Sequence, residues 1–275
     1  MPSHHNKGEP LLMMTIQKYI RPASLEEAYT LNQVRANRLV GGMVWMKMSN
    51  RAVNTAIDLS GLGLDAIEEN DREFRIGAMV TLRQLEQHPG FNAYTRGAAA
   101  ASVQDIVGVQ FRNLATVGGS IFSRFGFSDL LTFFLSLDCR VELYKAGTVS
   151  LEEFAKAQPD RDILVRLVVK KIPGRFSYSA MRIARTDFPV LTCAVSRVGD
   201  EYRAVIGARP GRAMVVRDEE GLLAGGITPE SAAAFGKYAA RVVPAGSNSR
   251  GSAAYRTRLV STLTRRGLEQ LGRMK

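Results

Sequence analysis

The sequence predicts an α+β fold in two parts, a larger front half and a β-β-β-α-α module behind it. Three features carry that prediction. Strand-like runs and capped helices interleave up to about residue 174, three β-rich stretches then follow one another, and two helical stretches close the chain. A length of 275 residues with 45% hydrophobic content suits two domains and a sizeable core.

Taken in order, "MPSHHNKGEP" is polar, so residues 1–12 read as a flexible tail, and His4 and His5 lack the helical spacing of a metal pair. Organised sequence begins at "TIQKYIRPASLEEAY", with Met13 or Met14 as alternative starts. "RPASLEEAYTL" opens with a capping box: Ser24 can accept from the Glu27 N–H while Glu27 reaches back to Ser24, giving a helix from about Leu25 to Gln33. "RLV" reads as a short buried strand and "NTAIDLS" as a second. "DAIEENDREFRIGAMV" reads as a hairpin turning at Asn70-Asp71. Capping boxes recur at Thr81/Gln84 and Ser150/Glu153. "GFNAYTRGAAAASVQDIV" has alanine-rich helical character, with His88 before it in a surface loop. Ser128 caps a further helix, with Asp129 in its first turn. "RVELYKAG" and "ILVRLVVKKIP" are strands.

Behind Phe176, "FSYSAMRIAR", "VLTCAVSRV" and "EYRAVIGARPGRAMVV" predict a three-stranded meander. Thr228 caps the first closing helix with Pro229 at its first position, and "SAAYRTRLVSTLTRRGLEQL" is the second.

Composition excludes several functions. The net charge is +11, which favours anionic partners: nucleic acid, a phosphate-bearing cofactor, an anionic membrane face or an acidic subunit. The basic C-terminal stretch has no aromatic ladder beyond Tyr255 on which bases could stack. Cys139 and Cys193 each sit in an apolar run, which reads as two buried, reduced thiols in a cytoplasmic protein. An iron–sulfur cluster takes about four thiolates, so this chain cannot ligate one alone. No apolar run approaches the about 18 residues of a membrane span. Neither a nucleophile triad nor a metal cluster is evident, so any redox or transfer chemistry here belongs to a cofactor.

Two stretches could hold one. Val-Gly-Gly occurs at Val40-Gly41-Gly42 in "RLVGGMVWMKM" and at Val117-Gly118-Gly119 in "NLATVGGSIFSRFGFSD", each read as a turn after a strand-like run. Consecutive N–H groups around paired glycines form an anion nest. Ser120 and Ser123 add hydroxyls, and Asp129 adds a carboxylate suited to ribose or ribityl hydroxyls. Each loop is also explained by a plain glycine turn. The single tryptophan, Trp45, reads as a core residue or as the flank of a ring system.

Together these stretches resemble the flavin-binding medium subunit of the molybdenum hydroxylases, the xanthine dehydrogenase and carbon monoxide dehydrogenase type. The match lies in "YIRPASLEEAYTL", "LVGGMVWMKM", "AIDLSGL", "FRIGAMVTLRQLE", "GVQFRNLATVGGSI" with the following Ser-Asp-Leu, and "RGSAAYRTRLVSTLTRR". It implies a two-subdomain FAD-binding domain of the vanillyl-alcohol-oxidase-like (PCMH) kind over 13–174, with subdomains at about 13–65 and 66–174. A C-terminal domain of this flavoprotein type covers 175–275. It also implies that Leu39, Val40, Gly41, Gly42, Met43, Val44 and Trp45, with Thr116, Val117, Gly118, Gly119 and Ser120, hold the FAD diphosphate and ribityl chain. Ser123 and Asp129 would reach hydroxyls or the adenosine half, Val107 would lie near the flavin, and Leu164 would pack on the adenine side. Arg182 matches a position where the family has Lys beside the flavin ring. Met43 and Val44 depart from the polar residues of the family's first loop, and Ser120 replaces its common Asn.

The resemblance implies electron transfer from iron–sulfur clusters in a small subunit, fed by a molybdopterin-binding large subunit, through FAD to NAD or another acceptor. Three other readings stay open at this level: a stand-alone flavin oxidoreductase, a subunit that has kept the fold and lost FAD, and a basic nucleic-acid-binding protein.

Overall fold

The computed structural model describes residues 13–274; the expected tail and its histidine pair lie outside them. The chain opens with β1 (Thr15–Ile20) and α1 (Leu25–Asn32). The Ser24 hydroxyl accepts from the Glu27 N–H at 3.1 Å, but the return bond from Glu27 goes to the Ala23 N–H, one residue beyond the expected Ser24. β2 (Arg38–Val40) and β3 (Ala52–Asp58) complete a small parallel sheet ordered β1-β3-β2. The Gly41-Gly42 loop leaves the C-terminal edge of this sheet.

β4 (Ile67–Glu69) and β5 (Glu73–Gly77) form the expected hairpin, its turn fixed by the Asn70 Oδ1, which accepts from the Arg72 and Glu73 N–H groups at 2.8 and 2.9 Å. Six short helices follow: α2 (Leu82–Gln87), α3 (Pro89–Tyr94), α4 (Ala98–Val103), α5 (Val109–Arg112), α6 (Val117–Phe122) and α7 (Asp129–Phe134). His88 is no idle loop residue. Its Nδ1 accepts from the Phe91 N–H at 3.0 Å and caps α3, a role that Ser, Thr, Asp or Asn usually fills. Then come β6 (Cys139–Leu143), β7 (Gly147–Ser150), α8 (Leu151–Lys156) and β8 (Leu164–Lys170), giving an antiparallel sheet ordered β4-β5-β8-β6-β7. The core of this part is aromatic: Phe91 packs between Phe74 and Phe134 at ring distances of 5.1 and 5.8 Å.

The rear module has four strands where three were expected: β9 (Gly174–Met181), β10 (Leu191–Val198), β11 (Glu201–Gly207) and β12 (Met214–Arg217). "EYRAVIGARPGRAMVV" reverses at Ala208–Arg212, where the Arg209 Nε donates to the Arg212 carbonyl at 2.8 Å. Thus one long stretch makes two antiparallel strands. α9 (Pro229–Val242) and α10 (Ala253–Arg273) cover one face of this sheet. Arg256 on α10 is wholly buried. Its guanidinium donates to the carbonyls of Val190 and Gly246, each at 2.9 Å, and to the Asn248 Oδ1 at 2.7 Å. That clamp fixes the 246–251 loop beside the front domain. No helix among the described residues is long and apolar enough to cross a membrane. Cys139 and Cys193 are buried free thiols, both pushed up by burial, Cys193 to about 12.

Candidate cofactor site

The second glycine loop differs from the sequence expectation. It follows α5 rather than a strand, and its glycines lie in the first turn of α6, capped by the Thr116 hydroxyl. Glycine has weak helix propensity, so a Gly-Gly pair reads as a turn. Here packing overrides propensity. A Cβ on Gly118 would stand 2.7 Å from the Ala78 carbonyl oxygen, so the helix can approach β5 this closely only with glycine there. The N–H groups expected to form a nest are already engaged. Val117 donates to the Val80 carbonyl and Gly118 to the Ala78 carbonyl, both at 2.8 Å, and Gly119 donates to the Thr116 hydroxyl at 3.2 Å.

The free donors lie in the first loop. Among the described residues, the N–H groups of Gly42, Met43, Val44 and Trp45 have no acceptor. Met43 has a left-handed φ of 56°, and a left-handed residue among such donors is the backbone pattern of an anion nest. At Met43 and Val44 the loop thus presents free backbone N–H groups where the resemblance leads one to expect polar side chains. Val44 turns inward against the main core, and Leu39 packs into the small cluster around Ile57, while Val40 is buried.

The two loops rest on each other. A Cβ on Gly42 would fall 1.7 Å from the Leu114 carbonyl oxygen, and one on Gly41 would fall 2.7 Å from the Thr116 Oγ1. Gly119 is different: it is exposed, and a Cβ there would meet only the Thr116 Oγ1, at 3.1 Å. Its open side is the floor of the cradle. The Ser120 and Ser123 hydroxyls donate to the carbonyls of Thr116 and Gly119 at 2.9 and 2.8 Å, and each keeps acceptor capacity.

Asp129 and Arg182, expected on different parts of the cofactor, meet each other. Asp129 heads α7 and is buried; its Oδ1 accepts from the Arg182 Nη2 at 2.5 Å and from the Tyr178 hydroxyl. Desolvation pushes its carboxyl up to about 6, against the opposing pull of Arg182 and Tyr178. Burial and the nearby carboxylate push the Tyr178 phenol well up. The Arg182 Nη1 donates to the Asp187 carbonyl at 2.6 Å, so both its terminal nitrogens are committed. Leu164 opens β8 inside the main core at 4% exposure. Val107, by contrast, is 51% exposed with a left-handed φ of 50°, a strained backbone for a β-branched residue. Arg185 ties its loop to the rear domain through Asp105 at 2.9 Å.

Trp45 is not a core residue: it is 47% exposed and lies against Phe125, Phe127 and Phe188 at 5.6–5.8 Å. Phe125 and Phe127 stand two residues apart in the second glycine stretch, but their meeting with Trp45 and Phe188 joins three separate segments and carried no local signal in the sequence. Met48, Val109 and Leu114 are further exposed apolar side chains, Val109 at the start of α5 and Leu114 between α5 and α6. Among the described residues, no group of three or more His, Cys, Asp or Glu could hold a metal ion.

A backbone anion nest packed against a capped helix turn, with aromatic rings beside it, defines a protein that holds a phosphate-bearing ring cofactor. The residues fit FAD: free N–H donors for a diphosphate, an open glycine where chain atoms can pass, hydroxyls with spare acceptor capacity, and stacked aromatics. Residues 13–173 match the family model for the FAD binding domain in molybdopterin dehydrogenase, and residues 176–271 match that for the CO dehydrogenase flavoprotein C-terminal domain. The chain belongs to this FAD-binding flavoprotein family of the molybdenum hydroxylases and is an oxidoreductase subunit. It is 27% identical over 276 residues to the nicotine 6-hydroxylase medium subunit of Paenarthrobacter nicotinovorans, covering 93% of this chain and 97% of that one. It is 28% identical over 212 residues to the Escherichia coli (strain K12) protein YgfM, covering 74% and 79%. In fold it resembles a chain of carbon monoxide dehydrogenase from Hydrogenophaga pseudoflava (TM-score 0.82, 22% identity, 94% and 97% covered). It also resembles a chain of quinoline 2-oxidoreductase from Pseudomonas putida 86 (TM-score 0.83, 19% identity, 94% and 97% covered).

Proposed function

We propose that this chain is the FAD-binding electron-transfer subunit of a molybdenum-cofactor hydroxylase. The observation that carries the reading is the run of unpartnered N–H groups from Gly42 to Trp45, held against the Thr116 turn. In this reading the first loop binds the diphosphate through its backbone, with Leu39 and Val40 anchoring it from the sheet. The second loop, Thr116 to Ser120, supplies the wall, and Gly119 leaves room for the ribityl chain. Ser123 lies at the exit of that wall and meets the hydroxyl-bearing parts of the cofactor. Val107 covers the ring from the α4–α5 connection, while Leu164 lends apolar backing beneath the adenine side. Asp129 and Arg182 act as a pair, fixing the rear domain against α7. FAD, when bound, supplies reversible redox chemistry that no side chain here can supply.

The partners are a molybdopterin-binding large subunit and an iron–sulfur small subunit, and the acceptor is NAD or another oxidant. The name of the nicotine 6-hydroxylase relative, a medium subunit, supports assembly of this kind. So do the two buried cysteines, too few for a cluster of the chain's own. A reducing cytoplasm suits both thiols. The charge of +11 assists docking, so assembly is expected to weaken as salt rises.

The test is a titration of the purified chain with FAD, followed by absorbance. One FAD per chain is expected. Reoxidation of the reduced, FAD-loaded chain by NAD or by an artificial acceptor then identifies the acceptor class. A chain that stays colourless at high FAD concentration refutes the reading.

A further inference from the structure

We propose that Arg250 is the cationic residue that meets the ring end of bound FAD, in the place the family resemblance gives to Arg182. This rests on the FAD reading above and adds to it a residue and a property. Beside Trp45 lies a cavity of about 440 Å³, formed where Gly126-Phe127, Phe188-Pro189, the 208–212 turn and Asn248–Arg250 converge. That volume falls within the range of about 300–1,000 Å³ usual for small-molecule sites.

Its walls suit a flat ring system. Phe127 meets Phe188 at 4.9 Å, and Phe125 stacks on Phe127 at 5.0 Å and 10°, with the Trp45 indole against all three. Trp45 also belongs to the run of free N–H groups, so the cavity opens directly off the loop that takes the diphosphate. A cofactor held at the loop delivers its far end here.

The cations near this cavity are not equivalent. Arg182 is neutralised by Asp129 and has both terminal nitrogens bound. Arg212 lines the cavity but turns its Nη1 towards the carbonyls of residues 155–157. The Arg250 guanidinium lies 5.0 Å from the centre of the Phe188 ring, and its Nη2 is 3.3 Å from the Asp187 Oδ1. Its Nε is buried and has no acceptor among the described residues. A buried charged donor without a partner is costly, and the electron-rich edge of a ring in the cavity would satisfy it. A fixed positive charge at that edge favours the reduced, more anionic ring and raises its potential.

The test uses the full-length chain loaded with FAD. Two readouts are followed: emission from Trp45, the only tryptophan, and the midpoint potential of the bound cofactor. FAD binding is expected to quench Trp45. Arg250→Gln and Arg250→Met should keep one FAD per chain and lower the potential by at least ~30 mV, a tenfold weaker preference for the reduced form in a two-electron couple. Arg250→Lys should recover part of the shift. Asp187→Asn removes the salt bridge but leaves the Nε, and should stay near the wild-type potential. Unquenched Trp45 with FAD bound, a wild-type potential in both neutral variants, or an equal shift in Asp187→Asn would each overturn the proposal while leaving FAD binding standing. A chain that binds no FAD overturns both.

Discussion

The two loops make opposite demands on their glycines, and a pair of alanine substitutions separates them. A methyl group at Gly42 would stand 1.7 Å from the Leu114 carbonyl oxygen, where ordinary contact begins at 3.4 Å. The neighbouring atom is backbone, so no rotamer change relieves the clash, and the loops must part by the difference. Overpacking of this kind costs about 1–3 kcal/mol of stability. Parting the loops also removes donors from the phosphates. Each hydrogen bond to a charged group is worth about 1.5–3 kcal/mol, so losing two raises the Kd for FAD by roughly two to four orders of magnitude. Gly119→Ala behaves differently. Its methyl group meets only the Thr116 Oγ1, at 3.1 Å, so the unliganded protein should unfold within about 1 kcal/mol of wild type. Yet that methyl group stands in the open floor of the cradle, and FAD affinity should still fall at least tenfold. Urea unfolding of the cofactor-free chain and calorimetric titration with FAD read the two effects separately. Wild-type FAD affinity in both variants would refute the cradle, and marked destabilisation by Gly119→Ala would refute the geometry given to the second loop.

Asp129 gives a pH signature. Its folded-state value of about 6 lies above the ordinary 3.8, so folding favours the protonated form. That contribution is fully present below about pH 3.8 and is lost as pH rises through 6, roughly 3 kcal/mol in all. Asp129→Asn should abolish this slope, and unfolding curves at several pH values that stay parallel for the two proteins would contradict it. Thr116→Ala removes the acceptor for the Gly119 N–H and should cost about 1 kcal/mol and weaken FAD binding; Thr228→Ala, capping α9 far from the cradle, should cost a similar amount with no effect on FAD. Both thiols should react with a disulfide reagent only after unfolding, since burial holds Cys139 and Cys193 as thiols. Rapid labelling of the native chain at neutral pH would contradict that.

What the sequence made legible was local. The boxes at Thr81/Gln84 and Ser150/Glu153 and the Thr228-Pro229 start are visible because donor and acceptor stand three residues apart. The hairpin at Asn70 was legible for the same reason. The helical nature of the Val117 turn was not, since only the close approach to Ala78 explains glycines in a first helical turn. Nor was the Asp129–Arg182 pair, whose partners lie 53 residues apart on different elements. The division of labour between the loops escaped sequence reasoning because it depends on which N–H groups the fold has already used. The two Val-Gly-Gly motifs look alike as letters, and Val80 and Ala78, which consume the donors of one, lie 37 and 40 residues away. The extra strand was hidden by a turn at Ala208–Arg212 inside an apparently continuous β stretch.

The contact between Gly42 and Leu114 has one more consequence. The walls of the cradle touch through their backbones, so the fold itself sets their spacing rather than the arrival of the cofactor. Little backbone freedom remains to be lost at that moment, because folding of the two sheets has removed it beforehand. Preorganisation of this kind leaves more of the contact energy available as affinity. It also predicts a rigid-body fit, with association limited by diffusion into the cleft rather than by a slow closing of loops.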